Sequence, residues 1–149
     1  MDQAFYERTC RMVYRICYPY FGNPADTEDA VQETYMRYLR TEPKLIDAQH
    51  EKAWLIRTAR HVCLDELKRK RRSELPLTAV RENAPEPDNP LMEALSQLPE
   101  KYRIALYLYY YEGYRTGEIA KLLRLPAATV RSQIARGRKL LRSQMEDMT

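Results

Sequence analysis

The stretch LPAATVRSQIARGRKLL, residues 125–141, gathers Arg131, Arg136, Arg138 and Lys139 among apolar residues, and Arg142 follows. No carboxylate occurs between Glu118 and Glu146. Like charges repel, so a solvated helix normally mixes both signs; a one-sign surface is stable against a polyanion, where each cation releases condensed counterions. Guanidinium forks add a second ability, since they fit both phosphate oxygens and the guanine edge. A second basic block, AWLIRTARHVCLDELKRKRR (residues 53–72), sets an aromatic among cations, with Arg57 beside it. At 100° per residue, Trp54, His61, Asp65, Lys68 and Arg72 fall within about 40° of one line, opposite in character to Leu55, Ala59 and Val62. Such a face suits a nucleic-acid backbone with an unstacked base beside it. Two plainer readings stand next to that one: Trp54 as a core residue, and KRKRR as a solvated helix end favoured by the macrodipole.

Bond-making chemistry is not expected. The chain lacks a Gly-rich phosphate loop and a Ser/His/Asp arrangement, and isolated carboxylates such as Glu33 and Asp65 do not make a site. It reads as a non-enzyme without a cofactor. Cys10, Cys17 and Cys63 have no CxxC spacing, which argues against a disulfide framework or a zinc site. His50 and His61 lie far apart, and His61-x-Cys63 is no metal-ligand spacing on a helix, so no metal is expected. The longest apolar run, IALYLYYY from Ile104 to Tyr111, falls well short of the ~20 residues that cross a bilayer. The start, MDQAFYERT, lacks the order of a secretory signal. These features predict a cytoplasmic protein with no membrane insertion.

The elements that must position the two basic faces are all helical. Residues 5–18 read as a first helix ended by Pro19 and Gly22, and Ala25–Arg40 as a second, with acidic residues near its N-terminus. Thr41–Gln49, with Pro43, reads as a loop, and His50–Arg72 as a long third helix. The net charge is +4 with a pI near 9.0, but its distribution says more. Residues 1–72 hold 14 Lys+Arg against 11 Asp+Glu, residues 73–89 hold 1 against 4, and residues 90–149 hold 10 against 6. The acidic joint SELPLTAVRENAPEPDN, residues 73–89, is Pro-rich and reads as a flexible linker. Beyond it the pattern predicts helices at Leu91–Leu98, Glu100–Glu112 with Pro99 in its first turn and Gly113 as its stop, Thr116–Leu123 and Ala127–Glu146. The fold class is therefore all-α, with helical domains at 1–72 and 90–149.

In the last helix, Ile134, Gly137 and Leu141 fall within about 40° of Val130, a narrow buried stripe. Ile119, Ala120 and Leu123 supply the matching face of the preceding helix, three residues upstream. This is helix-turn-helix spacing, whose second helix enters the major groove. A plain helical hairpin with a basic surface has the same spacing.

Three motifs in order carry a family resemblance: DTEDAVQETYMRYL (Asp26–Leu39), AWLIRTARHVCLDELKRKRR (Ala53–Arg72) and LPEKYRIALYLYYYEGYRTGEIAKLLRLPAATVRSQIARGR (Leu98–Arg138). Together they resemble bacterial RNA polymerase sigma factors of the extracytoplasmic-function group. The resemblance implies a first domain that binds core polymerase and the −10 promoter element, and a second that binds the −35 element. Asp29, Gln32, Glu33, Tyr35 and Met36 match the docking surface for the clamp helices of the largest polymerase subunits. Trp54, Arg57, His61, Lys68 and Arg72 match the part that captures and melts the −10 element. Arg131, Ser132, Ala135 and Arg136 match the helix positions that reach −35 DNA, with Arg138 and Lys139 further along. The polymerase flap and an anti-sigma factor are further implied partners. The sequence departs from the family pattern at His61 (usually Asn), Arg124 (usually the turn Gly), Ala128 (usually Gly) and Gln133 (often basic). A free-standing helix-turn-helix regulator is the competing reading, but the mixed-charge helix Asp29–Arg40 is not the dimer or ligand module that it would need.

Overall fold

The computed structural model describes residues 1–72 and 90–147. Among them every regular element is a helix, and the chain separates into two compact units, Met1–Ala84 and Pro85–Thr149. The expected linker, 73–89, lies outside the described residues. No helix among them is long and apolar enough to cross a membrane.

The first unit holds α1 (Gln3–Phe21), α2 (Pro24–Thr41) and α3 (Ala48–Arg72), each packed on the other two. Asp2 starts α1 by accepting a 2.8 Å bond from the Phe5 N–H. Pro19 does not end this helix, contrary to its sequence reading. A proline inside a helix loses its own N–H bond and crowds the carbonyl four residues back, yet the chain continues helical until Gly22, at φ 74°, donates to the Tyr18 carbonyl at 2.9 Å. Asn23 then caps α2 by accepting from the Asp26 N–H at 2.9 Å, with Pro24 in the first helical position. α3 starts at Ala48, two residues before the expected His50, because Asp47 caps it: its side chain accepts from the His50 N–H at 2.8 Å. The connecting loop is thereby cut to residues 42–47. Val13, Cys17, Leu55, Ile56, Ala59, Val62 and Cys63 are wholly buried between the helices.

The second unit holds α4 (Pro90–Ser96), α5 (Glu100–Tyr110), α6 (Thr116–Leu123) and α7 (Ala127–Asp147). Pro99 precedes α5 as its cap, with ψ 147°, and lends only its carbonyl to Tyr102 and Arg103. The α5 helix stops at Tyr110, short of the expected Glu112, yet Gly113 still makes the turn: its φ of 73° lets the Tyr114 N–H return to the Leu108 carbonyl at 3.0 Å. Arg103 is buried at 8% exposure and donates to the Leu98 carbonyl at 3.2 Å, tying the α4–α5 corner. α7 packs on α4, α5 and α6. It crosses α5 at Gly137, where a Cβ would stand 2.9 Å from Leu106 Cδ1.

Candidate nucleic-acid interface

The turn between α6 and α7 sets the aim of the basic helix. Arg124 takes φ 57° and ψ 47°, its N–H bonds the Lys121 carbonyl at 3.3 Å, and the Leu125 N–H bonds the Ala120 carbonyl at 2.9 Å. This is the Schellman pattern, in which the left-handed residue is usually glycine. The helix-turn-helix is therefore built without that glycine, at a steric cost of roughly 1–2 kcal/mol. At the other end of α6, Glu118 accepts from the Arg115 N–H at 2.9 Å. Arginine has no side-chain acceptor, so only this half of a capping box forms.

Val130, Ile134, Gly137 and Leu141 are the buried residues of α7, and Ile119, Ala120, Leu122 and Leu123 are those of α6. That leaves Arg131, Ser132, Ala135, Arg136, Lys139 and Arg142 exposed. The half-buried Gln133 has an Oε1 with no hydrogen-bond partner among the described residues. Arg138 is exposed as well but is held: its Nε donates to Tyr110 Oη at 3.0 Å, and its Cζ lies 5.1 Å from the Tyr109 ring centroid. The Tyr110 hydroxyl raises the guanidinium above its ordinary pKa. Beside Arg138, α5 and α7 open into a groove of about 440 Å³ lined by Tyr110, Leu141 and Met145 together with the charged Arg138, Arg142 and Glu146.

In the first unit the basic run at the end of α3 divides. Lys70 turns to Asp26 at 2.7 Å and lies over the Phe21 ring, and Arg69 pairs with Glu66 at 2.7 Å. Lys68, Arg71 and Arg72 stay exposed, as does His61. Lys70 and Asn23 together hold the Asp26 carboxyl below its usual range. Asp65, on the same line as His61, pairs with Arg37 at 3.3 Å. Trp54 is half-buried and meets Tyr38 edge-on at 5.6 Å, while Tyr38 stacks on Phe5 at 4.7 Å. These contacts give Trp54 a packing role on one edge, while its half-buried ring keeps some solvent exposure. Arg57 is half-buried.

The α2 face divides similarly. Ala30 and Val31 point into the core, and Asp29, Gln32 and Met36 point out. Tyr35 corrects its assignment to a docking surface: it is 4% exposed and its hydroxyl lies 2.7 Å from Thr9 Oγ1. The i, i+4 spacing from Val31 places it on the inward side of α2. Burial pushes its phenol up to about 12. Glu33 is half-buried and paired with Arg40 at 2.8 Å.

The sequence profile of sigma-70 region 2 matches residues 5–73, and that of sigma-70 region 4 matches residues 88–141. Between them they account for most of the chain. The chain belongs to the sigma-70 family. Among relatives, it is 31% identical to the RNA polymerase sigma factor SigZ of Bacillus subtilis, over 80% of this chain and 72% of that one. It is 28% identical to the extracytoplasmic-function (ECF) sigma factor SigW of the same organism, over 91% and 84%. A solved structure of the sigma factor RpoE with the anti-sigma factor NepR, from Bartonella quintana, shares the fold with a TM-score of 0.77 at 19% identity, covering 97% of this chain and 98% of that chain. As an ECF sigma factor the chain directs RNA polymerase to promoters and is not itself an enzyme.

Three features of this sigma factor escaped the sequence reading. Ile46 stands 87% exposed in the loop before α3, its N–H bonded to His50 Nδ1 at 3.2 Å. Leu39 joins Met36 as an exposed apolar residue on α2, with Tyr6 exposed on α1. The clamp on Arg138 had a visible signal in the tyrosine run Tyr109–Tyr111, which reads only as apolar until α7 is laid across α5.

Proposed function

We propose that promoter recognition is divided between the exposed faces of α7 and α3, and that α2 carries the contact with core polymerase. The observation that carries this reading is the one-sign surface of α7 on a firmly capped turn. Arg131, Ser132, Ala135 and Arg136 enter the major groove of the −35 element, while Lys139 and Arg142 take phosphates. His61, Arg57, Lys68 and Arg72 serve the −10 element, where unstacking a base costs a few kcal/mol that cationic and ring contacts must offset. Trp54 supports that face from beneath. Asp29, Gln32 and Met36, flanked by the Glu33–Arg40 pair, meet the clamp helices, and Tyr35 holds their helix in place. The flap of the same enzyme is the partner for the second unit, and an anti-sigma factor is the regulator that the family relationship suggests.

The test is reconstitution with core polymerase and promoter-dependent transcription, followed by base-by-base competition. Arg131→Ala should cost about 1–3 kcal/mol and relax preference at one base pair, whereas Lys139→Ala should weaken all sequences alike and lower the salt slope by about one. Equal losses on every sequence for both variants would reduce α7 to a basic surface without readout.

A further inference from the structure

Arg138 differs from the other cations of α7 in being built into its place. On the helix it lies about 20° from the line of Arg131 and two turns further on, at the edge of the basic face nearest α5. The Tyr110 hydroxyl accepts from Nε at 3.0 Å, the Tyr109 and Tyr110 ring centroids lie 5.1 and 5.8 Å from Cζ, and the two rings meet edge-on at 5.1 Å. An arginine chain normally loses much rotamer freedom when it binds a phosphate. Here α5 has fixed that freedom beforehand: Tyr110 takes Nε, Tyr109 also hydrogen-bonds the guanidinium, and the N–H groups that the two tyrosines leave over are the part to present to an anion. Tyr110 itself is 45% exposed, so its hydroxyl is not required to fill the core.

We propose that Tyr110 is a positioning residue for DNA binding, holding Arg138 ready for a backbone phosphate of the −35 duplex. This rests on the reading of α7 as the −35 helix. The contact is with phosphate, so it strengthens binding to every sequence equally and carries no base preference.

The test uses the full chain as holoenzyme at saturating core polymerase, titrated with labelled promoter duplexes that differ in the −35 element. Tyr110→Phe keeps the ring and removes only the hydroxyl; it should weaken binding about two- to tenfold, by the same factor on each duplex. Arg138→Ala should weaken binding at least as much and lower the salt slope by about one. In the Arg138→Ala background, Tyr110→Phe should have no further effect, a result that a merely structural tyrosine would not give. Unchanged affinity for Tyr110→Phe, or an undiminished loss in the double variant, overturns the proposal. Arg131→Ala and Arg136→Ala separate the two levels. If they lose affinity while Arg138→Ala does not, the positioning role alone fails; if they too bind normally, the reading of α7 fails and the proposal with it.

Discussion

Gly137→Val should destabilise the second unit by about 1–3 kcal/mol and leave the first untouched. A Cβ at this position would lie 2.9 Å from Leu106 Cδ1, 3.2 Å from Leu106 Cγ and 3.2 Å from Tyr102 Cβ. Carbon pairs rest at roughly 3.5–4.0 Å, so one of the helices must move before the γ-methyls are even placed. Leu106 is wholly buried and Tyr102 Cβ is fixed to the α5 backbone, so neither yields cheaply. Overpacking of this kind costs about 1–3 kcal/mol, against only a few tenths recovered from replacing glycine in a helix. Gly137→Ala meets the same three atoms but recovers about 1 kcal/mol of helix propensity, so its net loss should be small. Urea unfolding followed in two ways separates the units, because Trp54 is the sole tryptophan and lies in the first. The far-UV circular dichroism transition of the second unit should shift while the tryptophan transition stays in place. Leu106→Ala alone costs about 2–5 kcal/mol, and the double variant with Gly137→Val should lose at least about 1 kcal/mol less than the sum. A Gly137→Val protein of unchanged or greater stability, or strict additivity with Leu106→Ala, would refute the close crossing as the reason for this glycine.

The remaining expectations concern the first unit. Tyr35 is raised from 10.0 to about 12, so the folded unit keeps its proton where the unfolded chain loses it. That stabilisation is complete below the unfolded value and disappears as pH rises through the folded one; Tyr35→Phe should flatten the alkaline limb of the tryptophan-monitored unfolding curve by up to about 2 kcal/mol. Asp26 runs the other way: its pKa is lowered from 3.8, so its contribution is present above that value and lost as pH falls through the depressed one. Lys70→Met should therefore cost about 0.5–1 kcal/mol at neutral pH and almost nothing in strong acid, and an equal cost at both would rule out the ion pair. Gln32→Ala and Met36→Ala should weaken the capture of core polymerase in a pull-down while shifting stability by less than about 0.5 kcal/mol, and undiminished capture by both would move the docking surface elsewhere.

Which segments are helices, and which stripe each one buries, was legible in the sequence, whereas the ends of α1 and α5 and the start of α3 were not. Val130, Ile134, Gly137 and Leu141 repeat at helical spacing and are the residues that α7 buries; Leu55, Ala59 and Val62 do the same in α3. The turn at Gly113 was legible because a local bond makes it, and Arg124 stood out only as the residue where the family resemblance puts a glycine; its φ of 57° came from the structure. The legible features depend on residues within one or two turns of each other, and periodicity records such relations directly. Which polar residue faces solvent and which is claimed by another helix depends on residues far apart in the chain. Tyr35 belonged to the outward set until Thr9 of α1 accounted for its hydroxyl, 26 positions away. The cations of KRKRR were equivalent until Asp26 took Lys70, and Arg138 matched its neighbours until α5 brought two tyrosines beneath it. Charge type and helical phase give a side chain its direction from its own axis, but only the packing of a second helix decides what it meets there.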